Sequence, residues 1–155
     1  MKFKKNDIFI CDGQQVEILN LLGEGGQGEV YLAEKGGEIL ALKIYKDKMS
    51  DDFRYNLKVF LWPKTVIEWE DGDFGYFMDV RPSNYVSFVS YLTGKNVFDN
   101  QDLLIRWCIE LCVAFKKLHE KGFSYQDLND GSFFLDPKTG DLLICDNDNV
   151  TADKK

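Results

Sequence analysis

The chain has 155 residues, 45% hydrophobic and 29% charged, with a formal net charge of −7. That length admits one ordinary core or two small lobes, and the balance is that of a globular protein rather than a disordered one. The acidic charge and the lack of a dense Lys/Arg stripe argue against nucleic acid or an anionic membrane surface as partner.

The basic start MKFKK has no apolar run behind it, so it does not read as a signal peptide. No stretch approaches the ~20 apolar residues of a spanning helix. The four cysteines, Cys11, Cys108, Cys112 and Cys145, are scattered. Cys108 and Cys112 lie four apart on an apolar helical pattern, which makes a poor zinc site and fits buried free thiols. Unpaired thiols without an export signal point to a reducing cytoplasm.

In chain order, the first half reads as β-structure. Residues 16–22, 29–34, 38–45, 65–71 and 75–80 are short β-type runs separated by turn signals such as Lys35-Gly36-Gly37 and Asp71-Gly72-Asp73. They predict an antiparallel five-strand sheet. Between the third and fourth runs, Ser50-Asp51-Asp52 reads as a helix start, with Phe53, Leu57 and Phe60 at helical spacing and Pro63 as a stop. After Arg81-Pro82 the texture turns helical. Residues 85–92 form a short amphipathic candidate, and 102–120 a long one, ended by Gly122 and apolar on most sides, which predicts a central, buried helix. Two short strands, 133–135 and 142–145, flank the turn Asp136-Pro137-Lys138-Thr139-Gly140. The expected division is therefore 1–80 and 81–155, a β-rich lobe and a helical one.

The glycine run Gly23-Glu24-Gly25-Gly26-Gln27-Gly28-Glu29-Val30 is the first chemical signal. Glycines let backbone N–H groups approach phosphates because no side chain intervenes. A Walker loop would require Gly-Lys-Ser/Thr at its end, and a dinucleotide fold a following helix. Neither is present: Gly28 is followed by a strand-like alternation. In the next strand, period two places Ala41 and Lys43 on one face and Leu40, Leu42 and Ile44 on the other. A lysine among apolar neighbours calls for an anionic partner, and phosphate oxygens would serve.

Downstream, Tyr125-Gln126-Asp127-Leu128-Asn129-Asp130-Gly131-Ser132 and Ile144-Cys145-Asp146-Asn147-Asp148-Asn149 follow in order. With the glycine run and Lys43, these segments make the chain resemble the eukaryotic-type protein kinases over nearly its whole length. The spellings Phe60-Leu61-Trp62-Pro63 and Ile144–Asn149 look like a bacterial subgroup of Ser/Thr kinase-like proteins. The resemblance implies an α+β, protein-kinase-like fold: an antiparallel five-strand N-lobe with a short helix, and a partial helical C-lobe. It implies ATP and Mg²⁺ as cofactors. Gly23, Gly25 and Gly28 would cover the phosphates, Lys43 would hold them, and Val30, Ala41 and Phe134 would enclose the adenine beside the hinge-like Asp79–Arg81. Asp127 would accept the proton of a substrate hydroxyl, and Asp146 would carry the metal.

The departures are as specific as the matches. Tyr125 and Gln126 stand for the family's His-Arg, Ser132 for its metal-binding Asn, and Asn147 and Asp148 for the Phe-Gly of its D-F-G motif. No glutamate occurs between Lys43 and Pro63, leaving Asp51 and Asp52 as short candidates for the lysine's partner. Nine residues follow Asp146, without an A-P-E motif. The expectation is an ATP-binding, kinase-like domain, weak or inactive in phosphotransfer, with a protein partner or second copy over the flank of the long helix. The alternatives are the N-terminal portion of an active Ser/Thr kinase and a ligand-free interaction module.

Overall fold

A computed structural model describes residues 2–25, 28–45, 59–147 and 150–152. The chain divides into two compact units, Met1–Arg54 with Pro63–Val80, and Tyr55–Trp62 with Arg81–Lys155.

The first unit is built on one antiparallel sheet. Its strands are β1 (Ile8–Cys11), β2 (Gln14–Glu24), β3 (Gly28–Lys35), β4 (Glu38–Tyr45), β5 (Pro63–Glu68) and β6 (Phe74–Met78), in the order β1-β2-β3-β4-β6-β5. The five expected strands are present, and β1 is a sixth. Its run Ile-Phe-Ile-Cys is too short and too exposed for a strong alternation signal, yet the Asp12-Gly13 turn, both residues at positive φ, closes it onto β2. Val16, Ile18, Tyr31, Ala33, Leu40, Leu42, Ile44 and Phe77 form the core of the unit.

That core lies on one face of the central strands. Period two then sends Ala41, Lys43 and Tyr45 to the other face, where Val30 pairs with Lys43 and Tyr76 lies opposite it on the far side. All residues from Leu40 to Tyr45 are nevertheless buried. Tyr45 stacks on Phe74 at 5.6 Å, which helps to cover the second face.

Two glycines hold these strands at their spacing. A β-carbon on Gly28 would lie 2.1 Å from the Ile44 carbonyl oxygen, and one on Gly75 2.4 Å from that of Lys43. Each is a close approach of backbone to backbone that no other residue allows. The first residues are tied to the same sheet: the Lys2 amide donates to Glu29 at 2.8 Å and the Phe3 amide to the Tyr31 hydroxyl at 3.2 Å. Burial, and then the hydrogen bond to Glu29, push the Tyr31 phenol up to about 12.

The second unit holds β7 (Val86–Ser87), α1 (Val89–Leu92), α2 (Gln101–Glu120), β8 (Phe123–Tyr125), a 3-10 turn at Asp130–Ser132, β9 (Phe133–Leu135), β10 (Leu142–Ile144) and β11 (Val150–Ala152). The helix expected over 85–92 shrinks to one turn. Val86 and Ser87 pair with β9 instead, and the Phe88 amide donates to Phe133 O at 2.9 Å. α2 starts where Asn100 Oδ1 accepts from the Asp102 amide at 2.8 Å, and ends before Gly122 at φ 77°. Trp107 anchors it, stacked on Phe88 at 4.4 Å with its indole N–H donating to Phe134 O at 3.3 Å.

α2 is not buried all round. Only Trp107, Ala114 and Leu118 are buried, while Ile105, Ile109 and Val113 are 56%, 57% and 42% exposed. Cys108 and Cys112, expected in the core, are exposed on the same helix; Cys11 is buried and Cys145 half-buried. An apolar composition fixed the helix but not which of its faces a neighbour covers. The helix expected from Ser50, with Phe53, Leu57 and Phe60 at helical spacing, lies outside the described residues through position 58, as do Asp51 and Asp52; Phe60 forms a parallel bridge with Ile144 instead of a helical turn.

Because Gly75 spaces β6 against the strand that carries Lys43, Gly75→Ala is expected to lower stability by about 1–3 kcal/mol through overpacking. Gly23→Ala, with open space around an added β-carbon, is expected to change it by less than ~0.5 kcal/mol. Urea unfolding midpoints of the two variants check the contrast.

Candidate functional site

In the first unit Gly23 lies near the end of β2, Gly25 just beyond it, and Gly28 opens β3. Glu24 pairs with Glu29, and the Gly25 amide donates to Gly28 O at 2.9 Å. Gly23 and Gly25 leave open space where a β-carbon would stand, whereas Gly28 serves the strand packing described above. The three glycines thus differ in their surroundings. Val30, Ala41 and Lys43 share one sheet face, with Ala41 2% and Lys43 5% exposed. The Lys43 ammonium lies 5.1 Å from the centre of the Tyr45 ring. Lysine is rarely buried to this extent, so the strand holds a positive charge where its desolvation is costly. Asp79, at the far end of this unit, forms an ion pair with Lys64.

In the second unit Arg81 and Phe134 come together: the guanidinium carbon lies 4.4 Å over the Phe134 ring. Arg81 also donates to Tyr85 O. Cation–π stacking therefore covers the ring proposed for adenine contact. Asp127 is exposed on the loop after β8. Asn129 shapes that loop, its amide donating to Asp127 O at 3.2 Å and its Oδ1 accepting from the Gly131 amide at 3.0 Å.

Asp146 follows β10 in the left-handed region, φ 63°, a conformation that costs a non-glycine residue on the order of 1 kcal/mol. Two neighbours hold it there. The Tyr125 hydroxyl lies 2.7 Å from Cys145 O and 3.0 Å from Asp146 O. Asn147, 3% exposed, donates from Nδ2 to Leu61 O and Ile144 O, both at 3.0 Å. Both substitutions flagged in the sequence thus act as hydrogen-bond donors to backbone. Neither role was legible locally, since the Leu61 partner lies 86 positions away.

Ser132 closes the 3-10 turn, 1% exposed, with its carbonyl accepting from the Cys145 amide at 2.8 Å. Among the described residues its hydroxyl has no hydrogen-bond partner and is buried, as is Asn147 Oδ1. Among the described residues no group of three or more His, Cys, Asp or Glu side chains could hold a metal ion. A single carboxylate and an unsatisfied hydroxyl suit a magnesium ion that keeps waters and phosphate oxygens as its other ligands, and do not make a protein cage.

Comparison with known proteins gives the context. No family profile matches the chain. It is 26% identical over 160 residues to the serine/threonine-protein kinase OXI1 of Arabidopsis thaliana, an alignment covering 88% of this chain and 37% of that protein. It is 30% identical over 142 residues to the cell cycle protein kinase DBF2 of Candida albicans, covering 84% and 20%. The chain spans well under two thirds of the length of these relatives. Among solved structures, the BubR1 kinase domain superposes with a TM-score of 0.69 over 96% of this chain and 51% of that one, at 13% identity. Among the described residues no helix is long and apolar enough to cross a membrane. The strand order of the first unit, the helix and loops of the second, and these similarities together show that the chain has a protein-kinase-like fold, related in sequence to Ser/Thr protein kinases.

Proposed function

We propose that the chain is an ATP-binding, kinase-like domain with little phosphotransfer of its own. The observation that carries this reading is Lys43, held at 5% exposure on the sheet face it shares with Val30 and Ala41, on the strand next to the β2–β3 hairpin that carries Gly23 and Gly28. A buried ammonium next to apolar side chains suits phosphates attached to a flat, apolar base. In this reading the Gly23 and Gly25 backbone covers the phosphates, Lys43 holds them, and Ala41 and Val30 contact the adenine; roles for Phe134 and the Asp79–Arg81 backbone rest on the kinase resemblance alone.

Asp146 and Ser132 would hold magnesium, which when bound neutralises charge on the phosphate oxygens. Asp127, exposed on the loop that Asn129 shapes, would accept the proton of an incoming hydroxyl. The case for weak transfer rests on the ligands. A neutral hydroxyl at 132 is a poorer ligand than an amide carbonyl, and the sequence has no glutamate between Lys43 and Pro63 to orient the lysine. Phosphoryl transfer depends on positioning and charge stabilisation, so incomplete clamping is costly. The second reading is an active Ser/Thr kinase that uses Asp127 as base and Asp146 for magnesium, since both carboxylates are retained.

ATP at millimolar concentration is expected to raise the melting temperature by mass action. Lys43→Ala is expected to reduce ATP affinity at least tenfold, and Asp146→Ala to remove the modest magnesium dependence while leaving metal-free binding in place. Calorimetric titration with and without magnesium checks both, and an unshifted melting temperature for the parent chain refutes the nucleotide reading.

Transfer of radiolabelled phosphate to generic Ser/Thr substrates is expected to be negligible, with Asp127→Asn indistinguishable from the parent. Robust transfer that Asp127→Asn abolishes would establish the second reading instead.

The same proposal includes a second copy over α2. Ile105, Ile109 and Val113 form an exposed apolar stripe, and Asp102 and Lys116, each seven positions from Ile109, lie on its face with opposite charge. An antiparallel pair of helices centred on Ile109 sets Asp102 of each copy against Lys116 of the other. Light scattering is expected to show a dimer for the parent and a monomer for Ile109→Glu; a monomeric parent removes the proposal.

A further inference from the structure

We infer that Asn147 is a positioning residue, whose side-chain amide fixes the backbone of Asp146 by fastening the loop after β10 to the segment Val59–Leu61. Its Nδ2 faces two carbonyl oxygens, Leu61 O and Ile144 O, each at 3.0 Å, and the two protons of the NH₂ group can satisfy both acceptors at once. The segment it grips is itself tied to β10. The Ile144 amide donates to Val59 O at 2.7 Å, the Leu61 amide donates to Ile144 O at 2.8 Å, and Phe60 forms a parallel bridge with Ile144. Asn147 adds a third bond to this junction, one step beyond the residue that would carry the metal.

Packing alone does not account for an asparagine here. The side chain is 3% exposed, and its Oδ1 is buried with no hydrogen-bond partner among the described residues. An apolar side chain of similar size would fill the slot without leaving a desolvated acceptor. What the amide provides, and an apolar group does not, is two directed bonds. These restrain the residue immediately after Asp146, while the Tyr125 hydroxyl contacts the Asp146 carbonyl itself. Clamped from both sides, the left-handed Asp146 is held in one conformation, and its carboxylate is presented without a rearrangement of the loop. The consequence for magnesium rests on the nucleotide reading above; the clamp itself does not.

The test therefore has two arms on the full chain. In the first, hydrogen exchange is followed by NMR in the ligand-free protein. The Asn147 side-chain NH₂ protons of the parent are expected to be protected from solvent. Asn147→Leu is expected to speed exchange of the Leu61 and Cys145 amides at least tenfold, with the Ile18 amide in the other unit unchanged. Side-chain protons exchanging at the solvent rate, or Leu61 and Cys145 amides unaltered in the variant, would overturn the inference whatever the protein binds. The protection of the parent side chain decides the matter without a variant, should Asn147→Leu fail to fold.

In the second arm, ATP affinity is measured with and without magnesium. A positioning role predicts that Asn147→Leu loses at least fivefold of the magnesium-dependent increment and retains metal-free affinity. An equal loss in both conditions would mark Asn147 as structural only. If the parent binds no ATP, the nucleotide reading fails and the exchange arm still decides the clamp.

Discussion

The second unit is organised by the backbone of Ile144. Its amide and carbonyl both bond to the Val59–Leu61 segment, and the carbonyl accepts again from Asn147. Ile144 is also fully buried and paired with Phe133 across β9–β10. The next residue, Cys145, bonds to Ser132 O, and the one after that is Asp146. The two loops that carry Ser132 and Asp146 are therefore positioned from one strand end. Buried backbone groups must be paired, and here the pairs are long-range contacts. If β10 shifted by one residue, these bonds and the placement of Asp146 would be lost together.

In the first unit the comparable constraint is the spacing of three adjacent strands. Gly28 and Gly75 contact the backbone of β4 from its two sides, beside Ile44 and Lys43. A glycine-rich run is commonly read as a flexible ligand loop. In this chain its last glycine is required by strand packing, while Gly23 and Gly25 have room where a β-carbon would stand. The distinction matters for mutational work, because a loss of binding in a Gly28 variant would reflect displacement of β4 as readily as loss of a phosphate contact.

Two departures from the kinase pattern, Tyr125 and Asn147, form hydrogen bonds to backbone. Tyr125 reaches the carbonyls of Cys145 and Asp146 through its hydroxyl, and Asn147 reaches Leu61 and Ile144 through its amide. The Ser132 hydroxyl forms no such bond among the described residues and is buried. The same comparison holds for the fold as a whole. At 13% identity the BubR1 kinase domain still superposes with a TM-score of 0.69, since alternation, turn glycines and helix ends define the elements more than particular side chains do.

The sequence alone determined the elements and their punctuation. Alternation in β2–β6, the capping by Asn100, the stop at Gly122 and the paired glycine turns are local signals, each set by backbone sterics within a few residues. It also placed Val30, Ala41 and Lys43 on a common face, because period two is a local property. The tertiary structure alone decided which faces are covered. It left Cys108, Cys112 and the Ile105–Ile109–Val113 stripe exposed on a helix that looked central, added β1 at the sheet edge, and paired β8 with β11. It also gave Asn147 its bond to a carbonyl 86 positions away. Periodicity states which side of an element is apolar, but not what lies opposite it; burial and pairing depend on residues distant in the chain, which leave no local trace.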